Sequence, residues 1–125
     1  MSNDCVECAF LVPQTEASHL GKLPIVRKML LRAFGGFTQE GQALSGVWKN
    51  PAGQVISDIL VRFVCAVPDD RVVELRDIVR KLCAAFNQEC IYFSVAGRVE
   101  FISRDTLHGE YRWNEESECA DWYCV

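Results

Sequence analysis

The chain has no basic run, only two histidines, no long apolar stretch and no internal repeat. Each absence removes a class of function. With no clustered Lys or Arg and a net charge of −4, direct binding of duplex nucleic acid is not expected, because phosphate neutralisation dominates that affinity. No apolar run approaches the roughly 18 residues that span a bilayer, so no membrane partner is expected. The start, Met1-Ser2-Asn3-Asp4, lacks the basic region of a signal peptide, and a cytoplasmic protein is expected. No Gly-x-Gly-x-x-Gly or Gly-Lys-Ser/Thr pattern occurs, and no cofactor is expected. The histidines, His19 and His108, lie in polar segments. Ser18 beside His19 and Asp105 before His108 are sequence neighbours, which does not make a triad, so no catalytic residue is assigned.

What is present is half apolar, acidic and rich in cysteine. At 125 residues one domain is expected, large enough to bury about two-thirds of its unfolded surface. The seven cysteines are an odd number, and in the cytosol they are expected as thiols. Cys5 and Cys8 form Cys-x-x-Cys, and Cys119 and Cys124 lie near the other terminus. If the termini met, these four could hold one zinc ion as a tetrathiolate. The looser second spacing and the lack of a glycine-bearing knuckle weigh against it. Cys5-x-x-Cys8 also leads into a strand, whereas a redox pair needs a helix N-terminus. No metal is therefore assigned.

Residues 69–86 carry the clearest local pattern. Val72, Leu75, Val79, Leu82 and Phe86 recur at steps of three and four, which places them on one helix face. Arg71, Glu74, Arg76, Asp77, Arg80 and Lys81 fill the rest, and Asp69 or Asp70 stands where a cap belongs. An earlier helix is expected from Pro24, through Ile25, Val26, Met29, Leu30 and Ala33, to a stop at Gly35-Gly36. That stop puts the negative helix end at the glycines, so Gly35-Gly36-Phe37-Thr38 is not read as a phosphate cradle.

Strands are expected over residues 6–12, over the second half of 37–49, and over 55–67, 90–95 and 98–103. Asn50-Pro51-Ala52-Gly53 and Ala96-Gly97 read as turns. The expected architecture is α+β, a ferredoxin-like βαββαβ sandwich. It has an antiparallel sheet, both helices on one face, an extra edge strand and a C-terminal tail. Residues 1–103 form the domain. Residues 104–125 form an acidic aromatic tail, with Trp113, Trp122 and Tyr123, packed on the domain or on a partner.

In that plan the other sheet face is bare, with Ile56, Leu60, Val64, Tyr92 and Ile102 as its candidate residues. A bare apolar face of several hundred Å² marks an interaction site, and a homodimer through it is expected. Asp58 and Arg62 sit on the same strand face, either paired with each other or setting a dimer register. Trp48, Lys49, Gln88 and Glu89 are expected at one end of the sheet, where a Trp beside Lys and Gln could stack on a small ligand or a base.

Gly35-Gly36-Phe37-Thr38, Gly46-Val47-Trp48, Gly53 and Gln88-Glu89 with its following strand resemble small uncharacterised ferredoxin-like proteins of phages, plasmids and bacteria. The resemblance covers residues 23–102 and implies a phage or mobile-element setting, with the host cytoplasm as location. No chemistry comes with it. Together with the missing catalytic constellation and the acidic charge, it leads to an expected non-enzymatic binding protein. Such a protein would inhibit a host defence protein, as an anti-CRISPR does, or sequester a small nucleotide signal. The alternatives are a dimeric α/β-barrel-type small-molecule enzyme, whose pocket would use Asp58, Arg62 or Tyr92, and a zinc-bound structural module.

Overall fold

The computed structural model describes residues 4–15, 19 and 21–104, with backbone only for 41–43. The chain runs β1 (Cys5–Pro13), α1 (Leu23–Phe34), β2 (Thr38–Lys49), β3 (Val55–Pro68), α2 (Val72–Ala85), β4 (Cys90–Val95) and β5 (Arg98–Ser103). The strands form one sheet in the order β2-β3-β1-β4-β5, with every neighbouring pair antiparallel. The protein is thus α+β, an antiparallel sheet with two helices. None of its described helices is long and apolar enough to cross a membrane.

Alternation along the strands divides the sheet into two faces. Phe10 on β1 lies opposite Phe63 on β3 and Phe93 on β4, and the Phe10 and Phe63 rings stack with centroids 5.6 Å apart. These rings, with Val12, Val61, Cys65 and Ile91, form the core against both helices. From α1 come Val26, Met29 and Leu30, and from α2 come Val72, Leu75, Val79 and Leu82, with Phe86 just beyond. The apolar stripe of residues 69–86 is therefore the face that meets the sheet. Arg76 then ties α2 to the edge strand through two 3.0 Å hydrogen bonds to the Glu100 carboxylate.

Local details depart from the expected pattern. Asp69–Arg71 is a turn of 3-10 helix, and no side chain caps α2. Pro68 holds the chain extended, and the Asp69 N–H is satisfied by the Asp4 carbonyl at 3.2 Å. Asp77 and Lys81, assigned by pattern to the polar side of this helix, are buried. Strand β2 occupies the whole polar segment, because pairing with β3 resumes after a register shift between Glu40 and Leu44. On β3 the alternation holds at Val61, Phe63, Cys65 and Val67 but fails at Val55 and Ile59, which are 65% and 44% exposed. β1 ends at Pro13 opposite Leu60, so residues 55–58 pair with β2 alone and run past the layered part of the molecule.

Ile102 was expected on the bare face. It stands opposite Ile91 and is 1% exposed, so it belongs to the helix-covered core. The Ala96-Gly97 turn sets this parity: both residues have positive φ, 50° and 83°, as a two-residue hairpin of right-handed twist requires. Phe101, not Ile102, faces away from the helices. His19, read as a polar-segment residue, is 4% exposed and packs its ring 5.8 Å from Phe86. His108 and the expected tail contacts of Trp113, Trp122 and Tyr123 lie outside the described residues.

Candidate functional site

The helix-free face holds a cavity of about 330 Å³. It lies at the end of the sheet where β1 stops, β4 begins and the β2–β3 hairpin projects. All five strands contribute: Trp48 from β2, Asp58 and Leu60 from β3, Pro13 from β1, Tyr92 from β4 and Phe101 from β5. The size is within the range of small-molecule pockets, and so is the composition, mostly apolar with few polar groups. Tyr92 and Phe101 are cross-strand partners whose rings meet edge to face at 5.8 Å, forming one wall. Gly46 keeps this part of the lining open: a Cβ there would come within 2.5 Å of Leu60 Cδ1, so any larger residue must displace the Leu60 side chain, which also lines the cavity.

Asp58 is the only charged residue among the described lining. Its carboxylate is held from two sides. The Trp48 indole N–H donates to Oδ2 at 2.9 Å, and the Thr15 hydroxyl reaches Oδ1 at 3.4 Å. Thr15 is itself fixed by the β-ladder. The Gln14 N–H donates to the Ile59 carbonyl at 2.6 Å, and the Ile59 N–H donates to Thr15 Oγ1 at 2.8 Å, where a backbone carbonyl would have continued the pairing. A side chain thus finishes the β1–β3 ladder and steadies the carboxylate next to it.

Gln88 arrives at the cavity through the end of α2. Asn87 takes φ 54°, and its N–H donates to the Ala84 carbonyl at 3.2 Å while the Gln88 N–H donates to the Cys83 carbonyl at 2.8 Å. These two bonds are the Schellman closure, and they turn the chain sharply onto β4. The Gln88 side-chain amide donates to the Phe86 carbonyl at 3.2 Å. Next along the lining, burial raises the Cys90 thiol above its ordinary range, and the neighbouring Glu89 adds to the rise. Cys90 is therefore a protonated wall residue at neutral pH.

The structure brings Trp48, Asp58, Leu60, Gln88 and Tyr92 together around one space. Lys49 and Glu89 are exposed and line nothing there. Ile56, Arg62 and Val64 share the face by alternation but lie outside the cavity. The expected pairing of Asp58 with Arg62 does not form, because Arg62 binds Glu40 across the β2–β3 ladder. Val64 instead lines a shallow depression at the far end of the sheet, with Gly36 and Thr38. Gly35 ends α1 at φ 80°, and its N–H is taken by the Leu31 carbonyl, so it offers no donor to an anion.

Cys5 is exposed and Cys8 fully buried. Three residues apart on one strand, they point to opposite faces and cannot share an ion. Cys119 and Cys124 lie outside the described residues. Thr15 and Phe101 were not picked out as site residues from the sequence. Counting back from the Ala96-Gly97 turn pairs Phe101 with Tyr92 and would have found the second; nothing local marks the first.

No protein-family model matches the chain, and no curated protein sequence matches it. Solved structures do. A phage SAM lyase in complex with S-methyl-5′-thioadenosine is similar with a TM-score of 0.54 at 14% identity, over 90% of this chain and 96% of that one. A phage SAM lyase in its apo state is similar with a TM-score of 0.51 at 13% identity, over 86% of this chain and 96% of that one. The likeness is one of fold. It overturns the expectation of a non-enzymatic binding protein, whether a defence inhibitor of the anti-CRISPR kind or a factor that sequesters a nucleotide signal. In both solved structures this fold belongs to an enzyme.

Proposed function

We propose that the chain is a lyase acting on a sulfonium nucleoside of the S-adenosylmethionine type. The observation that carries the reading is the cavity itself. It is an apolar, aromatic space with a single carboxylate, in a chain that shares its fold along nearly its whole length with a SAM lyase. Its residues suit the two halves of such a ligand. The Trp48, Tyr92 and Phe101 rings offer faces and edges on which a purine can stack. A sulfonium carries a full positive charge but no N–H, so only charge and ring faces can hold it, and Asp58 and the same rings supply both.

The chemistry asks little of the protein. A sulfonium sulfur is already a leaving group. When a carbon–sulfur bond breaks, the sulfur keeps the electron pair and becomes a neutral thioether. The carbon it leaves is satisfied within the same molecule, by a nucleophile of its own chain or by loss of an adjacent proton to solvent, because a lyase consumes no water. On the first path an anionic group of the same molecule cancels the sulfonium charge, and on the second the departing proton carries that charge to solvent; either way sulfur ends neutral, a change that apolar walls favour. Few histidines, and no nucleophile–base pair among the described residues, are compatible with such a step.

The arrangement of the first four strands and two helices fits a ferredoxin-like plan extended by β5. The two phage structures support a phage or mobile-element setting. The deciding experiment is incubation with S-adenosylmethionine and chromatographic detection of products. The expected result is S-methyl-5′-thioadenosine appearing in step with substrate loss, well above the rate in protein-free buffer. Production no faster than in buffer, with folded protein, rejects the reading.

A further inference from the structure

We infer that Asp58 makes the cavity a charge filter, which retains a nucleoside bearing positively charged sulfur and lets the neutral thioether go. The inference rests on the lyase reading above and adds to it a rule of specificity and product release.

The argument begins with what surrounds the carboxylate. A carboxylate has about four lone-pair positions. Trp48 and Thr15 use one on each oxygen, and both partners are uncharged. The guanidinium nearest in sequence, on Arg62, is engaged by Glu40. No cation lines the cavity among the described residues, so the negative charge of Asp58 is held in place but not neutralised. Partly buried beside apolar walls, this charge has no counter-charge among the lining residues described. A cationic ligand supplies one.

The surrounding wall sharpens the preference. Apolar and aromatic side chains displace part of the solvent around a bound ligand, which raises the attraction between the carboxylate and a cation above its value in bulk water. Aromatic faces add to cation binding and contribute nothing comparable to a neutral thioether. The rest of the ligand, purine and ribose, is the same before and after cleavage, so stacking cannot tell substrate from product. Charge can. Loss of the sulfonium charge removes the attraction to Asp58 and leaves its carboxylate again without a counter-ion, which favours exit of product.

The test compares dissociation constants, read by rapid mixing before turnover, for three probes: S-adenosylmethionine, S-adenosylhomocysteine and S-methyl-5′-thioadenosine. The first two share the same amino-acid chain and differ in the charge on sulfur. The wild-type protein is expected to bind the sulfonium at least about tenfold more tightly than either thioether, a ratio equal to about 1.4 kcal/mol. In Asp58→Asn, which keeps an acceptor for Trp48, that preference should fall to within about threefold while the thioether affinities stay nearly constant. A wild-type preference below about threefold overturns the filter, and that result needs no variant to fold. So does a preference that persists in Asp58→Asn, or an equal loss for all three probes. Absence of binding by the wild-type protein to any probe instead rejects the lyase reading itself.

Discussion

A thiol packed among apolar side chains gives up its proton reluctantly, and three residues here are in that position. Burial pushes Cys8 up to about 11, with Cys65 directly opposite adding to the rise. Burial alone pushes Cys65 up to about 11, and burial foremost pushes Cys83 up to about 12. All start from an ordinary value of 9.0, so their folded-state values lie above their unfolded ones. Their contribution to stability is then fully present below about pH 9 and is lost as the pH rises through 11 to 12. In that window each group costs about 1.4 kcal/mol per pH unit. The urea midpoint, measured under reductant, should hold from pH 7 to 8 and fall clearly by pH 10. An unchanged midpoint at pH 10 contradicts this account. Cys83 also donates its S–H to the Ile102 carbonyl at 3.0 Å, and deprotonation removes that bond. The sequence marked Cys65 and Cys83 as plain core residues, and so they are. It also suggested that Cys5 and Cys8 act as a pair, and there the strand geometry decides otherwise.

At the scale of elements, the end of α2 couples stability to the site. Asn87 occupies the left-handed region at φ 54°, where only Gly is free of strain and Asn is tolerated. The turn it makes sets the direction in which Gln88 and Cys90 approach the cavity. Asn87→Gly should therefore keep or raise stability, by up to about 1 kcal/mol, while Asn87→Val should cost about 1–2 kcal/mol. Thermal unfolding of both variants checks this; a Val variant as stable as the wild type would show that the left-handed turn carries no strain. The helix was easy to read from sequence because its stripe repeats for about four turns. Its ending was not, because a Schellman closure here rests on an Asn, which is a weaker signal than the Gly35 that ends α1. Strand β2 was only half legible for a related reason. Its first half is polar and pairs across a register shift, so neither alternation nor hydrophobicity reveals it. Trp48 and Gln88 were legible as neighbours because strand order alone places their ends together. The actual partner of Trp48, Asp58, was expected to pair with Arg62 or to set a dimer register with it, since a single strand face was in view and Glu40 on the adjacent strand was not.

For the whole molecule, the two helices on one side leave the other side of a five-stranded sheet to line the cavity. That asymmetry is what turns strand ends into a pocket, and it has a thermodynamic consequence. A ligand that binds the folded chain alone must stabilise all of it, because no strand contributes to the cavity in isolation. Trp48, Asp58, Pro13, Tyr92 and Phe101 come from five strands separated by up to 88 residues of chain, from Pro13 to Phe101, so unfolding any strand pairing dissolves the site. At a hundredfold excess over its dissociation constant, a ligand adds about 2.7 kcal/mol. For a chain of 125 residues, that raises the midpoint of thermal unfolding by about 10 °C. S-adenosylmethionine should produce a rise of this order that saturates with concentration, and Gly46→Val should reduce it, because the added side chain enlarges one lining residue and displaces a second, Leu60. A rise of less than about 2 °C at millimolar S-adenosylmethionine, in protein that unfolds cooperatively and with the compound still intact at the end of the scan, means that the cavity does not take this ligand.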